Sequence, residues 1–224
     1  MGLDVEIRAA TLDDADAIAA VKYGVWPSEK TEVNQIRSAM QDDEHVALVA
    51  VRYDEVVAYQ DCFITVAADG TRRWELDQLA VHPDYQRQRI GRALVVEATK
   101  LGRDYNATLA RALIQVSNIA SQRTFARTTY QTDRTIYSLH IVTNALEHSA
   151  VVPPDTHLIP VNTFSYHGVW IEGQFSQEGF LAARYHLQGV AGALIPANDH
   201  DALYAAANAS YRLVANYQWW VAQL

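Results

Sequence analysis

The 224-residue chain is 50% hydrophobic and 20% charged, a globular composition long enough for one large domain or two small ones. Its formal net charge of −8 argues against a generic nucleic-acid binder, which would be basic, and its single cysteine, Cys62, excludes an intrachain disulfide. No apolar run approaches the ~20 residues of a membrane span, and the first residues lack a leader's basic-then-apolar order. A cytoplasmic location is expected, with neither a membrane nor a nucleic acid as partner and no metal site.

Glu6-Ile7-Arg8 and its neighbours suit a first strand. Thr11-Leu12-Asp13-Asp14 resembles a capping box ahead of a helix with Ala15, Ile18, Ala19 and Val25 at helical spacing. Ser28 is the expected cap of a second helix that places Val33, Ile36 and Met40 on one face. Three strand-like runs follow, His45–Arg52, Val56–Val66 and Arg72–Val81, with turn residues between them. The Asp69-Gly70 pair is a hairpin signal, so the three form an antiparallel meander. Ile90, Leu94, Ala98 and Leu101 mark a helix ending near Gly102. Thr108–Val116 alternates as a strand, Asn118–Arg127 is a short helix and Asp133–Val142 another strand. The fold class is α/β: a meander plus a β-α-β unit with parallel strands, a mixed sheet with helices on its faces.

Val152-Pro153-Pro154-Asp155 is a linker, dividing the chain into 1–145 and 155–224. Residues 151–224 carry only Arg184 and Arg212 as fixed cations, yet hold Trp170, Trp219 and Trp220. This half also echoes the first. Ala191–Ile195 is similar to Ala110–Ile114, an asparagine follows each (Asn198, Asn118), and Tyr211–Tyr217 is similar to Phe125–Tyr130. A degenerate internal duplication is expected, with Tyr211 at the place of Phe125.

The stretch Leu79-Ala80-Val81-His82-Pro83-Asp84-Tyr85-Gln86-Arg87-Gln88-Arg89-Ile90-Gly91-Arg92-Ala93-Leu94 carries the chemistry. A strand ends, a proline breaks it, and a polar loop leads into a helix. The first amides of a helix have no internal partners and, with the helix dipole, favour an anion such as a pyrophosphate. Gly91 lets the backbone approach a ligand, and Arg87, Arg89 and Arg92 add positive charge in an acidic protein.

This stretch resembles motif A of the GNAT superfamily of acyl-CoA N-acyltransferases, and the element order over residues 5–142 is similar to that family's. The resemblance implies a GNAT fold with a splayed parallel strand pair and acetyl-CoA as co-substrate. Its pantetheine would pair with the backbone of Leu79, Ala80 and Val81, with the Val81 amide polarising the thioester carbonyl. Amides from Gln86 through Arg87, Gln88, Arg89, Ile90 and Gly91 to Arg92 would hold the pyrophosphate. Asn118 would contact the pantetheine arm; by itself it also suits a helix N-cap. The acceptor is a primary amine of a small molecule or peptide, acetylated by direct attack. A base is then useful, and Asp77 and Glu75, alternating on one strand face, are the candidates, with Asp77 aligning best. Gln78 is expected on the other face.

Two positions depart from the family pattern. Arg89 stands where glycine is usual, and Phe125 stands where many members carry a tyrosine that protonates the leaving thiolate. A catalytically silent acyl-CoA sensor or scaffold is therefore the alternative reading. The second half lacks a phosphate loop and is expected to be a truncated GNAT-like lobe that packs on the first, closes the acceptor cleft or mediates homodimerisation.

Overall fold

A computed structural model of the chain describes residues 4–147 and 150–224; Met1, Gly2 and Leu3, part of the stretch read for a leader, lie outside them. Strand β1 (Glu6–Ala9) runs through a 3-10 turn at Leu12–Asp14 into helix α1 (Ala15–Val25). The capping box is present: the Asp14 carboxylate accepts from the Thr11 amide at 2.7 Å. Helix α2 (Val33–Ala39) is capped at Glu32, not Ser28. Pro27 breaks the chain after α1 and the Glu29 amide turns back onto the Trp26 carbonyl, so Ser28 still belongs to that turn.

The meander is β2 (His45–Arg52), β3 (Glu55–Val66) and β4 (Arg72–Val81). Tyr53 and Asp54 join β2 to β3 with φ of 50° and 64°, the two left-handed residues that a type I′ hairpin demands. Gly70, at φ 84°, turns the next hairpin. Helix α3 (Ile90–Asp104) ends close to Gly102, as expected, with Gly102 itself inside the last turn. A Cβ at Gly102 would meet Leu224 at 2.7 Å and Trp74 at 2.9 Å, so this glycine serves close packing. Then follow β5 (Leu109–Gln115), α4 (Ile119–Phe125), β6 (Tyr137–Val142), β7 (Thr156–Asn162), β8 (His167–Gly173), α5 (Gln177–Tyr185), β9 (Val190–Pro196), α6 (His200–Asn208) and β10 (Arg212–Gln223).

Among the described residues the strands join one ten-stranded mixed sheet, in the order β1-β2-β3-β4-β5-β10-β6-β9-β8-β7. The second half repeats the first: β8 and β9 are parallel with α5 between them, as β4 and β5 are with α3. The strands that close the two units are exchanged. β6, which follows α4, pairs with β9; β10, which follows α6, pairs with β5 and also with β6. The interior of the sheet is thus built from both halves. Pro160 lies on the edge strand β7, where proline is tolerated.

Helices α3 and α4 cover one face of the first unit. Ile90, Leu94, Val95 and Ala98 are buried against Trp74, Leu76, Ala110 and Trp220, each large apolar side chain contributing roughly 1.5–3 kcal/mol. Helices α5 and α6 cover the same face of the second unit, through Phe180, Ala183 and Ala206 against Ile171, Ala193 and Ile195. Helices α1 and α2 lie on the opposite face, over β2 to β4, and Phe164 from the β7–β8 turn is buried among them.

Tyr211 sits at the start of β10 and donates to the Phe180 carbonyl at 3.2 Å. It follows the α6 cap, Asp199, by the same interval as Tyr130 follows Asn118. It therefore corresponds to the core tyrosine Tyr130 and not to Phe125.

Candidate active site

The parallel pairing of β4 with β5 covers only Arg73↔Leu109, Trp74↔Ala110 and Glu75↔Arg111. Beyond Glu75 the strands part, and a cleft of about 200 Å³ opens between Leu76–Leu79 on β4 and Ala112–Gln115 on β5. Asn118, Ser121 and Phe125 of the α4 segment close one side; Trp26 and Glu29 of the α1–α2 connection and Tyr217 of β10 close the other.

The bend of β4 has a local cause. Asp61↔Asp77 and Tyr59↔Ala80 are register pairs, so Gln78 and Leu79 oppose the single residue Gln60. This is a β-bulge, with Gln78 at φ 35°. The bulge turns Gln78 as well as Asp77 into the cleft, against the simple alternation expected from the sequence. Gln78 donates to Ser165 of the β7–β8 turn and accepts from the Tyr59 hydroxyl at 3.2 Å.

The two candidate carboxylates part company here. Asp77 lines the cleft, and its Oδ2 is sealed from solvent without a hydrogen-bond partner. Burial, reinforced by the nearby Asp61 charge, pushes its pKa up to about 7, against the pull of a hydrogen bond from the Gln78 backbone amide and of Lys22. Glu75 is buried away from the cleft. It takes a bidentate contact from Arg111 Nε at 2.9 Å to each oxygen and a hydrogen bond from Thr65. Glu172 of β8 joins this cluster, 2.8 Å from Arg73 and 3.2 Å from Arg111.

Behind Asp77 lies a buried polar row. Asp61 is 2.6 Å from His45 Nε2, both side chains being sealed from solvent. Burial alone would lower the His45 pKa, but the Asp61 charge outweighs it and the net shift is upward. The Phe164 amide donates to Asp61 at 3.1 Å, and Lys22, fully buried on α1, donates to Ser165. Burial lowers the Lys22 pKa. Sequence reasoning missed this row, because its members lie on four separate segments. It also missed Tyr217, which reaches the cleft only through the strand exchange.

The loop residues stand as a group. The Val81 carbonyl accepts from Gln86 Nε2 at 3.1 Å. The His82 amide points to Val57 on β3 at 2.9 Å, so strand alternation turns the Val81 amide the other way, into the opening. Ala80 is buried and pairs with Tyr59, while Leu79 lines the cleft. Arg87, Arg89 and Arg92 are exposed, and Arg87 and Arg89 both hold left-handed φ, 60° and 67°. Such a conformation costs a non-glycine residue ~1–2 kcal/mol. Gln88 accepts from Arg52 at 3.1 Å. Arg89 is the N-cap of α3, and its side chain makes no cap bond. Among the described residues, no backbone acceptor outside the helix meets the amides of Ile90, Gly91 and Arg92. A Cβ at Gly91 would lie in ordinary contact with Leu79 and Val81, both at 3.5 Å.

Asn118 caps α4, accepting from the Ser121 amide at 3.1 Å, and also lines the cleft. Phe125 lines its inner end and packs edge-on against Tyr130, centroids 5.0 Å apart. Tyr130 is buried and engaged with Thr99. In the second unit the helix corresponding to α3 is capped by its own Ser176, which accepts from the Gly179 amide at 3.1 Å.

The sequence model of the acetyltransferase (GNAT) family matches residues 12–130, and the chain belongs to that family. It is an acetyl-CoA-dependent N-acetyltransferase, with acetyl-CoA as co-substrate. No curated protein matches the chain. Among solved structures it is similar to a GCN5-related N-acetyltransferase from Sphaerobacter thermophilus, at 13% identity and TM-score 0.61, covering 100% of this chain and 96% of the other. It is also similar to the GCN5-related glucosamine N-acetyltransferase region of a fungal multi-domain β-N-acetylglucosaminidase, at 12% identity and TM-score 0.68, covering 99% of this chain and 38% of the other. A ribosomal-protein-alanine N-acetyltransferase from Brucella melitensis, 21% identical with TM-score 0.52, covers only 59% of this chain and 88% of its own. The likeness is one of fold, and in the first two cases it extends over both halves. Among the described residues no helix is long and apolar enough to cross a membrane.

Proposed function

We propose that the enzyme acetylates a primary amine by direct attack in a ternary complex, at the opening between β4 and β5. The observation that carries this reading is the juxtaposition, in one cleft, of an unpaired strand edge and the Asp77 carboxylate. The residues fit the co-substrate: the opening exposes strand backbone to a pantetheine arm, and the free amides of Ile90 to Arg92, with three exposed arginines beside them, suit a pyrophosphate. Bound there, acetyl-CoA supplies an activated acetyl carbonyl.

The chain's own groups do the rest. The inward-turned Val81 amide is placed to meet negative charge on the carbonyl oxygen. Asp77, with a pKa near neutrality, takes the proton that the amine loses as the N–C bond forms. As the C–S bond breaks, the thiolate needs a proton that Phe125 lacks. Of the two hydroxyl-bearing residues that line the cleft, Ser121 and Tyr217, we assign this role to Tyr217, the phenol being the more acidic. Glu75 anchors Arg111 instead of reacting. Residues 1–145 and 155–224 are read as a GNAT lobe and a degenerate second lobe whose β7–β8 turn walls the acceptor side.

The test is calorimetric titration with acetyl-CoA, beside Gly91→Glu. A Cβ fits at this position, and an acidic side chain suits a helix N-terminus, so the variant folds but opposes the pyrophosphate. Micromolar binding that is lost in the variant, followed by amine-dependent CoA release, supports the proposal. CoA binding without release by any amine favours the sensor reading.

A further inference from the structure

A second cavity, about 220 Å³, lies on the Asp77 face of the sheet, at the junction of the two halves. Its floor is five adjacent strands, represented by Leu113 (β5), Trp219 (β10), Leu139 (β6), Leu194 (β9) and Trp170 (β8). Tyr166 of the β7–β8 turn and Phe175 stand at its walls. Between β5 and β9 lie β10 and β6, so strands from both halves of the chain form its floor.

The cavity borders the cleft. Leu113 lines both, and its register partner is Trp219. Two residues along the same strands, Gln115 and its partner Tyr217 line the cleft, a step of roughly 7 Å at the rise of an extended strand.

Its chemistry is selective. The charged side chains that line it, Arg111 and Glu172, are 3.2 Å apart and bound to each other. Arg111 is further held by Glu75, and Glu172 by Arg73, so no spare charge remains for a carboxylate or phosphate. The Arg111 guanidinium covers one face of the Trp219 ring, 4.0 Å from its centroid, and lies 6.0 Å from that of Trp170, and its positive charge beside the rings disfavours a second cation there. The Trp170 indole N–H is taken by the Tyr166 hydroxyl at 3.2 Å. What remains is a neutral, aromatic-walled space. At about 220 Å³ it is smaller than the roughly 300 Å³ at which pockets begin to take drug-sized ligands, a size for one ring system.

We infer that this cavity holds an aromatic ring of the acceptor, so that the enzyme acetylates small arylalkylamines, with the amine at Asp77 and the ring against Trp219 and Trp170. This rests on the proposed reading of the β4–β5 opening as the acetyl-transfer site. Sugar amines and polyamines offer the cavity nothing to bury.

The test compares phenethylamine with propylamine. Gly192 lines the cavity, and a Cβ there would meet Ile141, Leu139 and Trp170 at an ordinary 3.7–3.8 Å, so Gly192→Leu fills the space from the floor. Leu139→Trp fills it from the neighbouring strand should the first variant fail to fold. In the wild-type enzyme phenethylamine should show a KM about tenfold below that of propylamine. The filling variants should remove that advantage while the Kd for acetyl-CoA and the turnover of propylamine stay within about twofold. Direct calorimetric binding of phenethylamine is followed in parallel. CoA release with no preference for the aryl amine, or a preference that both filling variants leave intact, overturns the cavity assignment and leaves acetyl transfer standing. Phenethylamine binding that the variants abolish, with no CoA release by any amine, keeps the cavity and overturns the transfer reading.

Discussion

Asp77 stands directly across the β3–β4 ladder from Asp61, a spacing that places Cβ atoms about 5 Å apart. Burial and this neighbouring charge hold the Asp77 pKa near 7. A base must be unprotonated, so kcat/KM is expected to fall as pH drops through about 7. Asp77→Asn should lower kcat by roughly 10²–10⁴. Lys22→Met, which removes a cation that lowers the Asp77 pKa, should move the acid limb to higher pH. A rate flat between pH 5 and 8, or full activity in Asp77→Asn, would sink the assignment.

The same shift predicts a stability trend. The folded-state pKa lies above the ordinary 3.8, so the native state holds this proton more tightly than the unfolded chain. The contribution is fully present below the unfolded value and is lost as pH rises through the folded one. Asp77→Asn cannot ionise, so its urea midpoint should gain on the wild type between pH 4 and pH 8. Parallel midpoints across that window would contradict this.

Tyr217→Phe should leave acetyl-CoA binding unchanged and reduce kcat, at the lower end of the ~10²–10⁴ range for proton-transfer groups. Stopped-flow thiol detection separates the two effects. Unchanged kcat would hand the thiolate's proton to solvent.

Arg111→Leu leaves Glu75, whose side chain is 3% exposed, without its bidentate partner and loosens Glu172. Removing one member of a buried pair costs roughly 3–5 kcal/mol, a Tm decrease on the order of 10 °C for a chain of this size. Adding Glu75→Gln to that variant should restore part of the loss; a melt equal to wild type would show that the cluster is incidental.

Residues 1–145 produced alone lack β10, leaving the β5 edge unpaired and Ala112 and Ile114 without the Trp220 cover. Such a fragment is expected to aggregate or to melt without cooperativity, as read by calorimetry. A monomeric, cooperatively melting fragment would show that the first lobe closes itself.

The sequence by itself settled what depends on local order. Strand-like runs separated by turn residues marked β2 to β4, alternation marked β5, Asp69-Gly70 set a hairpin, and the strand-loop-helix run from Leu79 to Leu94 carried the family and the co-substrate. Spacing along one segment is enough for these, because backbone hydrogen bonding and helix ends act over a few residues. Local signals failed where a distant group or a bulge intervened. Alternation gave Glu75 and Asp77 equal standing, but Arg111 takes one and the other faces the cleft. Gln78 changed sides through a bulge, and Tyr211 proved to be the counterpart of Tyr130. The exchange of β6 and β10, the buried row behind Asp77 and the aromatic cavity were decided only by tertiary structure. An antiparallel strand of suitable pattern can pair with either β5 or β9, and only the packing of all ten strands selects between them.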